Sequence, residues 1–104
     1  MYGTLVRLRP AQGNEGAVRA LIEQHGAGEG AAIDGFVAQY LLVPDAGNGE
    51  VFDLIVFSSE ENYRKNAASL EQHARYEEVR KLLDEEPVWL DGEIVALEPS
   101  TVSL

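Results

Sequence analysis

Two strand-length runs near the middle of the chain, residues 36–43 and Val51–Phe57, are apolar at nearly every position. A strand turns successive side chains to opposite faces, so Phe52, Leu54 and Val56 point one way while Val51, Ile55 and Phe57 point the other. Both faces of this strand therefore need cover. Residues 2–9 form a further strand, which Pro10 stops because it has no N–H to give to the ladder. Residues 15–25 place Val18, Leu21, Ile22 and His25 at the spacing of one helical face, with Asn14 as N-cap and Gly26, Gly28 and Gly30 as the stop. The segment 44–50, with Gly47-Asn48-Gly49, is a hairpin turn joining the two apolar strands.

After the second of these strands, Ser58 and Glu61 have capping-box spacing, so a helix is expected to start directly there. Its first part runs to about Ser69. A second part, residues 70–85, carries Tyr76, Val79, Leu82 and Leu83 on one face, with a break near Ala68-Ser69 and Pro87 as the stop. Residues 88–97 return as a strand, in which Gly92 marks a bulge. The order β-α-β-β-α-β is the split arrangement of ferredoxin-like α+β folds, a four-stranded antiparallel sheet with its helices on one face. One domain spans residues 1–104, without repeat or linker. Two helical regions roof only one face of such a sheet, so the other is expected to be buried by a second copy, giving a homodimer.

Composition narrows the partners. Eighteen acidic against eight basic residues give a net charge of −10, which repels a phosphate backbone, so nucleic acid is not an expected partner. No apolar run approaches the roughly 20 residues that span a bilayer. No export signal is visible either, so the chain reads as cytoplasmic with no membrane association. The chain has no cysteine, so chemistry must come from oxygen, nitrogen or aromatic side chains.

Candidates for that chemistry cluster on the second helical region. His73 lies one turn before Tyr76, on the stripe that continues into Val79 and Leu83. It either closes the polar end of that stripe or looks into the space between helix and sheet, where an imidazole can serve as a base or haem ligand. Asn62, Tyr63 and Asn66 offer amides and a phenol that can orient a substrate oxygen, or else serve the helix end and solvent. Trp89 suits a packing or interface position as well as a ligand wall. Gln39 and Tyr40 point to opposite faces, so only one lines a pocket beneath the helices, and Tyr40 is assigned to it. Arg7 and Arg9 share a face and are expected to pair with Asp53 or Glu93. His73 and Glu77 stand one turn apart, too little for a metal site, and none is expected.

The junction Phe57-Ser58-Ser59-Glu60-Glu61-Asn62-Tyr63, the helix with His73 and Tyr76, and the closing Pro87-Val88-Trp89-Leu90-Asp91-Gly92-Glu93 resemble the dimeric α+β barrel superfamily, in its antibiotic biosynthesis monooxygenase-like branch. The resemblance spans nearly the whole chain. It implies a ferredoxin-like subunit whose dimer closes a barrel, with a cleft for a small apolar or aromatic ligand between sheet and helices. It also implies a cofactor-independent monooxygenase acting on a phenolic, quinol or polycyclic aromatic molecule, as an oxidoreductase without cofactor. Catalytic roles then fall to His73, Tyr76 and Asn66, and substrate contacts to Asn62, Tyr63, Tyr40 and Trp89. Haem-degrading relatives use an Asn on the first strand with a Trp and a His in the second helical region, and of these only the His has a counterpart in the right part of the chain, His73. Here strand one offers Tyr2, Thr4 and Arg7, and the helix reads Tyr63-Arg64-Lys65-Asn66, so haem cleavage is not expected. Two alternatives stand beside the enzyme: a non-catalytic ligand-binding or stress-related dimeric module, and a dimer whose cleft is filled by its own aromatics.

Overall fold

A computed structural model describes residues 1–25, 33–47 and 49–98. The elements are β1 (Tyr2–Leu8), α1 (Glu15–Gln24), β2 (Phe36–Leu42), β3 (Val51–Phe57), α2 (Glu60–Ala67), α3 (Leu70–Arg80) and β4 (Val88–Glu93). The strands form one antiparallel sheet in the order β2-β3-β1-β4, the ferredoxin-like arrangement. The glycines expected to end α1 and Asn48 of the β2–β3 turn lie outside the described residues.

Register assigns the two faces of the sheet. Thr4, Val6 and Leu8 on β1 stand beside Ile55, Asp53 and Val51 on β3, and this set faces the helices. Val18 and Ile22 of α1 and Leu83 close over Val6, Leu8 and Val51 as the main core. At the other end of the same face, Tyr2, Phe36, Phe57 and Tyr63 form a second, aromatic cluster with ring centroids 5.4 to 5.8 Å apart. Across the opposite face, Leu90, Leu5, Leu54 and Tyr40 stand in one rung that crosses all four strands. Leu90 is 62% and Tyr40 64% exposed, so this side of the sheet is an uncovered apolar surface.

Several local expectations shift, each for a visible reason. The cap of α2 is Ser59, whose hydroxyl accepts from the Asn62 amide at 3.2 Å; Ser58 is still held to the sheet side by its N–H bond to the Gly35 carbonyl at 2.8 Å. Ser69 ends one helix and starts the next: its hydroxyl donates to the Asn66 carbonyl at 2.8 Å and accepts from the Gln72 amide at 3.1 Å. That is the expected break. The second helix stops at Arg80, well before Pro87, because the following segment pairs with the end of strand one through Ala11 N–H to Leu82 and Asp84 N–H to Arg9. Asn14 begins α1 without a side-chain cap, since its amide donates instead to the Leu82 carbonyl at 3.3 Å.

Gly92 keeps regular register opposite Gly3, and the sheet irregularity falls between Phe36 and Ala38 in β2. Arg7 pairs with Glu85 at 3.1 Å and Glu50 at 4.0 Å, and Arg9 with Asp84 at 3.9 Å. Neither meets Asp53, which lies on the helix side of the sheet while Arg7 lies on the other. The cap assignment is testable by denaturant unfolding. Ser59→Ala is expected to lower stability by about 1 kcal/mol, the ordinary cost of a lost N-cap, and Ser58→Ala by no more than a few tenths.

Candidate functional site

The helices rest on the two ends of the sheet face, and between them remains a cavity of about 400 Å³. Its floor is made by Thr4 and Val6 on β1, Gln39 on β2, Asp53 and Ile55 on β3, and Trp89 and Asp91 on β4. Its roof and rim come from His25 at the end of α1, Tyr63 and Asn66 on α2, and His73, Tyr76 and Val79 on α3. The alternative in which the protein's own aromatics fill the cleft is not the arrangement seen here.

Five of the seven residues singled out from sequence come together here: Asn66, Tyr63, Trp89, Tyr76 and His73. Their settings differ. Tyr63 is buried and donates to Asp91 Oδ1 at 2.8 Å; burial and the adjacent carboxylate push its phenol up to about 12, so it remains a donor at neutral pH. Burial disfavours the Asp91 carboxylate, but the nearby Thr4 hydroxyl, the Tyr63 phenol and the Arg64 guanidinium at 3.2 Å outweigh it and hold the carboxyl below its usual range. Arg64 also donates to the Tyr2 hydroxyl at 2.8 Å, which locks this end of the cavity. Tyr76 bonds Glu86 at 3.1 Å, and its ring lies 6.1 Å from that of Trp89. Partial burial and that carboxylate raise the Tyr76 phenol as well. His73 stands at the rim rather than inside, with a side chain 70% exposed and Nε2 3.8 Å from Glu77. Among the described residues no cluster of acidic and histidine side chains has the makings of a metal site.

Asn62 and Tyr40 stand elsewhere. The Asn62 amide donates to the Ser58 hydroxyl at 3.1 Å and packs over Gly35, whose φ of 76° and missing Cβ leave room for it. Tyr40 lies on the outer face of the sheet. Alternation counted from Phe36, which lines the cavity, would bring Tyr40 inside; the irregularity at Val37 reverses that parity and sends Gln39 in instead.

The feature not anticipated is Asp53. It is 5% exposed, and both of its carboxylate oxygens accept from the single amide nitrogen of Gln39, at 3.0 and 2.9 Å. Burial pushes its carboxyl up to about 6, against the smaller lowering effect of that bond. The signal was in the strand pattern: Asp53 shares the parity of Val51, Ile55 and Phe57, the apolar set that faces inward.

The fold is the one seen in structures that carry the antibiotic biosynthesis monooxygenase name. One from Nitrosomonas europaea superposes with a TM-score of 0.79 at 9% identity, over 92% of this chain and 100% of its own. Another, from Caulobacter crescentus, gives 0.80 at 14% identity, over 91% and 90%. A variant of SnoaB, a cofactor-independent oxygenase from Streptomyces nogalater, gives 0.73 at 18% identity, over 93% and 98%. At these identities the likeness defines the fold and leaves the reaction to the site. The sequence matches no family model and no curated protein. Among the described residues, no helix is long and apolar enough to cross a membrane.

Because Asp53 titrates higher folded than unfolded, the folded state holds the extra proton between about pH 4 and 6, and stability falls as pH rises through that window. Asp53→Asn keeps an oxygen for Gln39 and removes the charge. It is expected to raise stability by roughly 1–3 kcal/mol at pH 7.5, with little gain at pH 4, in denaturant titrations at the two pH values.

Proposed function

We propose that the chain is a cofactor-independent monooxygenase acting on a phenolic, quinol or polycyclic aromatic molecule bound between sheet and helices. The observation that carries this reading is the cavity: about 400 Å³, walled by Val6, Ile55, Phe57, Val79 and Trp89, with a few convergent polar groups. Such a composition suits a flat apolar ligand oriented by one or two oxygen atoms. The shared fold with a cofactor-independent oxygenase supports the same class.

The chemistry needs no external reductant. A ring C–H and the O–H of a phenol react with O2 to give the two C=O groups of a quinone and H2O, with the substrate supplying every electron, so the protein has only to bind, orient and move protons. Trp89 and the Tyr76 ring beside it form the stacking wall. Asn66 donates to the oxygen on which negative charge develops, a role in which one aligned amide is worth roughly 100-fold in rate. Tyr76, whose proton is held by Glu86, accepts from a second substrate hydroxyl, and the exposed His73 passes protons between rim and solvent. Tyr63 holds the end wall through Asp91.

The reading includes a homodimer closed across the rung of Leu5, Leu54, Leu90 and Tyr40, since leaving that surface in water forfeits roughly 25 cal/mol for every Å². Sedimentation at micromolar concentration is expected to give twice the 11.4 kDa chain mass, and Leu5→Glu with Leu90→Glu to give monomer. A wild-type mass of one chain overturns the dimer.

For the enzyme, oxygen uptake is measured with a panel of quinols and polycyclic phenols, without added flavin or metal. Turnover is expected, falling at least roughly 100-fold when His73→Ala, Tyr76→Phe and Asn66→Ala are combined. Unchanged turnover in that variant removes the assigned site. Saturable binding without oxygen uptake identifies a ligand-binding module instead.

A further inference from the structure

We propose that Asp53 is the proton acceptor of the cavity, taking the proton of a ring hydroxyl on a bound aromatic molecule while Gln39 holds its carboxylate in place. This rests on the oxygenase reading for its consequence, but the recognition it describes is separable from turnover.

Three observations carry it. Asp53 is a carboxylate on the cavity floor, flanked in register by Val6 on one side and Leu41 on the other, and among the described residues its hydrogen-bond partner is Gln39. No Lys or Arg among the described residues pairs with it. An ionised carboxylate accepts several hydrogen bonds, and one amide nitrogen bridging both oxygens leaves most of that capacity unused. Thr4, on the neighbouring strand and the same face, is 2% exposed, but its hydroxyl is engaged by Asp91, its register partner on β4, and leaves Asp53 to its amide partner. A buried carboxylate with spare acceptor capacity thus stands on the floor of an apolar cavity, which fits a ligand oxygen that arrives as O–H. Buried ionisable groups of this kind destabilise the fold and concentrate where chemistry requires them.

The ring O–H bond breaks, its proton passes to a carboxylate oxygen of Asp53, and the electron pair stays on the ring oxygen, which accepts a hydrogen bond from the new Asp53 O–H. The phenolate adds O2 at a ring carbon bearing hydrogen, and the resulting peroxide anion takes the proton back from Asp53. Loss of water from that hydroperoxide leaves C=O and an ionised Asp53, ready for another cycle.

Other titratable or charged groups face the same cavity: His25 from α1, Tyr63 and Arg64 from α2, His73, Arg75 and Tyr76 from α3, and Asp91 from β4, with Glu78 3.6 Å from His25. The test therefore compares wild type with Asp53→Asn, which leaves all of them in place. Binding of 2-naphthol and of naphthalene, which differ only in the hydroxyl, is measured by equilibrium dialysis at pH 7.5 and pH 4.5.

Wild type is expected to prefer 2-naphthol by about tenfold at pH 7.5, as a charge-assisted hydrogen bond provides, and by several-fold less at pH 4.5. Asp53→Asn is expected to lose both the preference and its pH step, while binding naphthalene within about threefold of wild type. Absence of the preference or of the pH step in wild type overturns the proposal without reference to any variant, and so does their persistence in Asp53→Asn. Failure of wild type to bind either probe overturns it too. If the preference behaves as expected but no phenol supports oxygen uptake, the acceptor stands and the oxygenase reading falls.

Discussion

Alternation along β3 is the constraint on which the rest of this molecule depends. One parity of that strand, Val51, Asp53, Ile55 and Phe57, supplies both the core beneath α1 and the floor of the cavity. The other parity, with Leu54 at its centre, builds the apolar rung on the outer face. A one-residue slip would exchange the two sets, moving Asp53 to the surface and taking Phe57, the largest fully buried side chain, out of the interior. Because β3 is hydrogen-bonded on both edges, to β1 and β2, such a slip would have to break two ladders at once.

The cavity follows from where the helices find support. α1 is anchored by Val18 and Ile22 over the aliphatic half of the sheet, and α2 by Tyr63 over the aromatic half. Neither covers the middle. Ser69, satisfying backbone groups of both α2 and α3, fixes the bend that carries α3 across the rim, and α3 buries none of its residues fully. A helix with so little of its surface in the core is held mainly by its ends and by the segment after it, which is tied to Arg9 and Ala11.

Electrostatics divides in the same way. The ion pairs of the surface, such as Arg19 with Glu23 and Lys65 with Asp34, are exposed and contribute little to stability. The polar groups that matter are on the cavity walls, where Asp91 is compensated by Tyr63 and Arg64 while Asp53 has one neutral amide. Two carboxylates on one floor thus have opposite characters, one held ionised and structural, the other destabilised and available. An acidic chain repels anions from its surface, so an uncharged aromatic that loses its proton only after entry suits the overall field as well as the site.

Much of the fold was legible in the order of amphipathic and apolar segments, because helix and strand periods are properties of neighbouring residues. The strand pair around residues 36–57, the break at Ser69 and the need for cover on both sheet faces all follow from such local patterns. The shared cavity position of Asn66, Tyr63, Tyr76 and Trp89 was partly legible for the same reason, since helical and strand parity place side chains before any packing is known. What the sequence could not determine were the features decided by contacts between distant segments. The irregularity at Val37 reversed the facing of Gln39 and Tyr40, strand pairing of residues 82–84 cut α3 short, and register alone set Asp53 beside Gln39. Each depends on which backbone groups find partners across the sheet, and that is a property of the assembled chain.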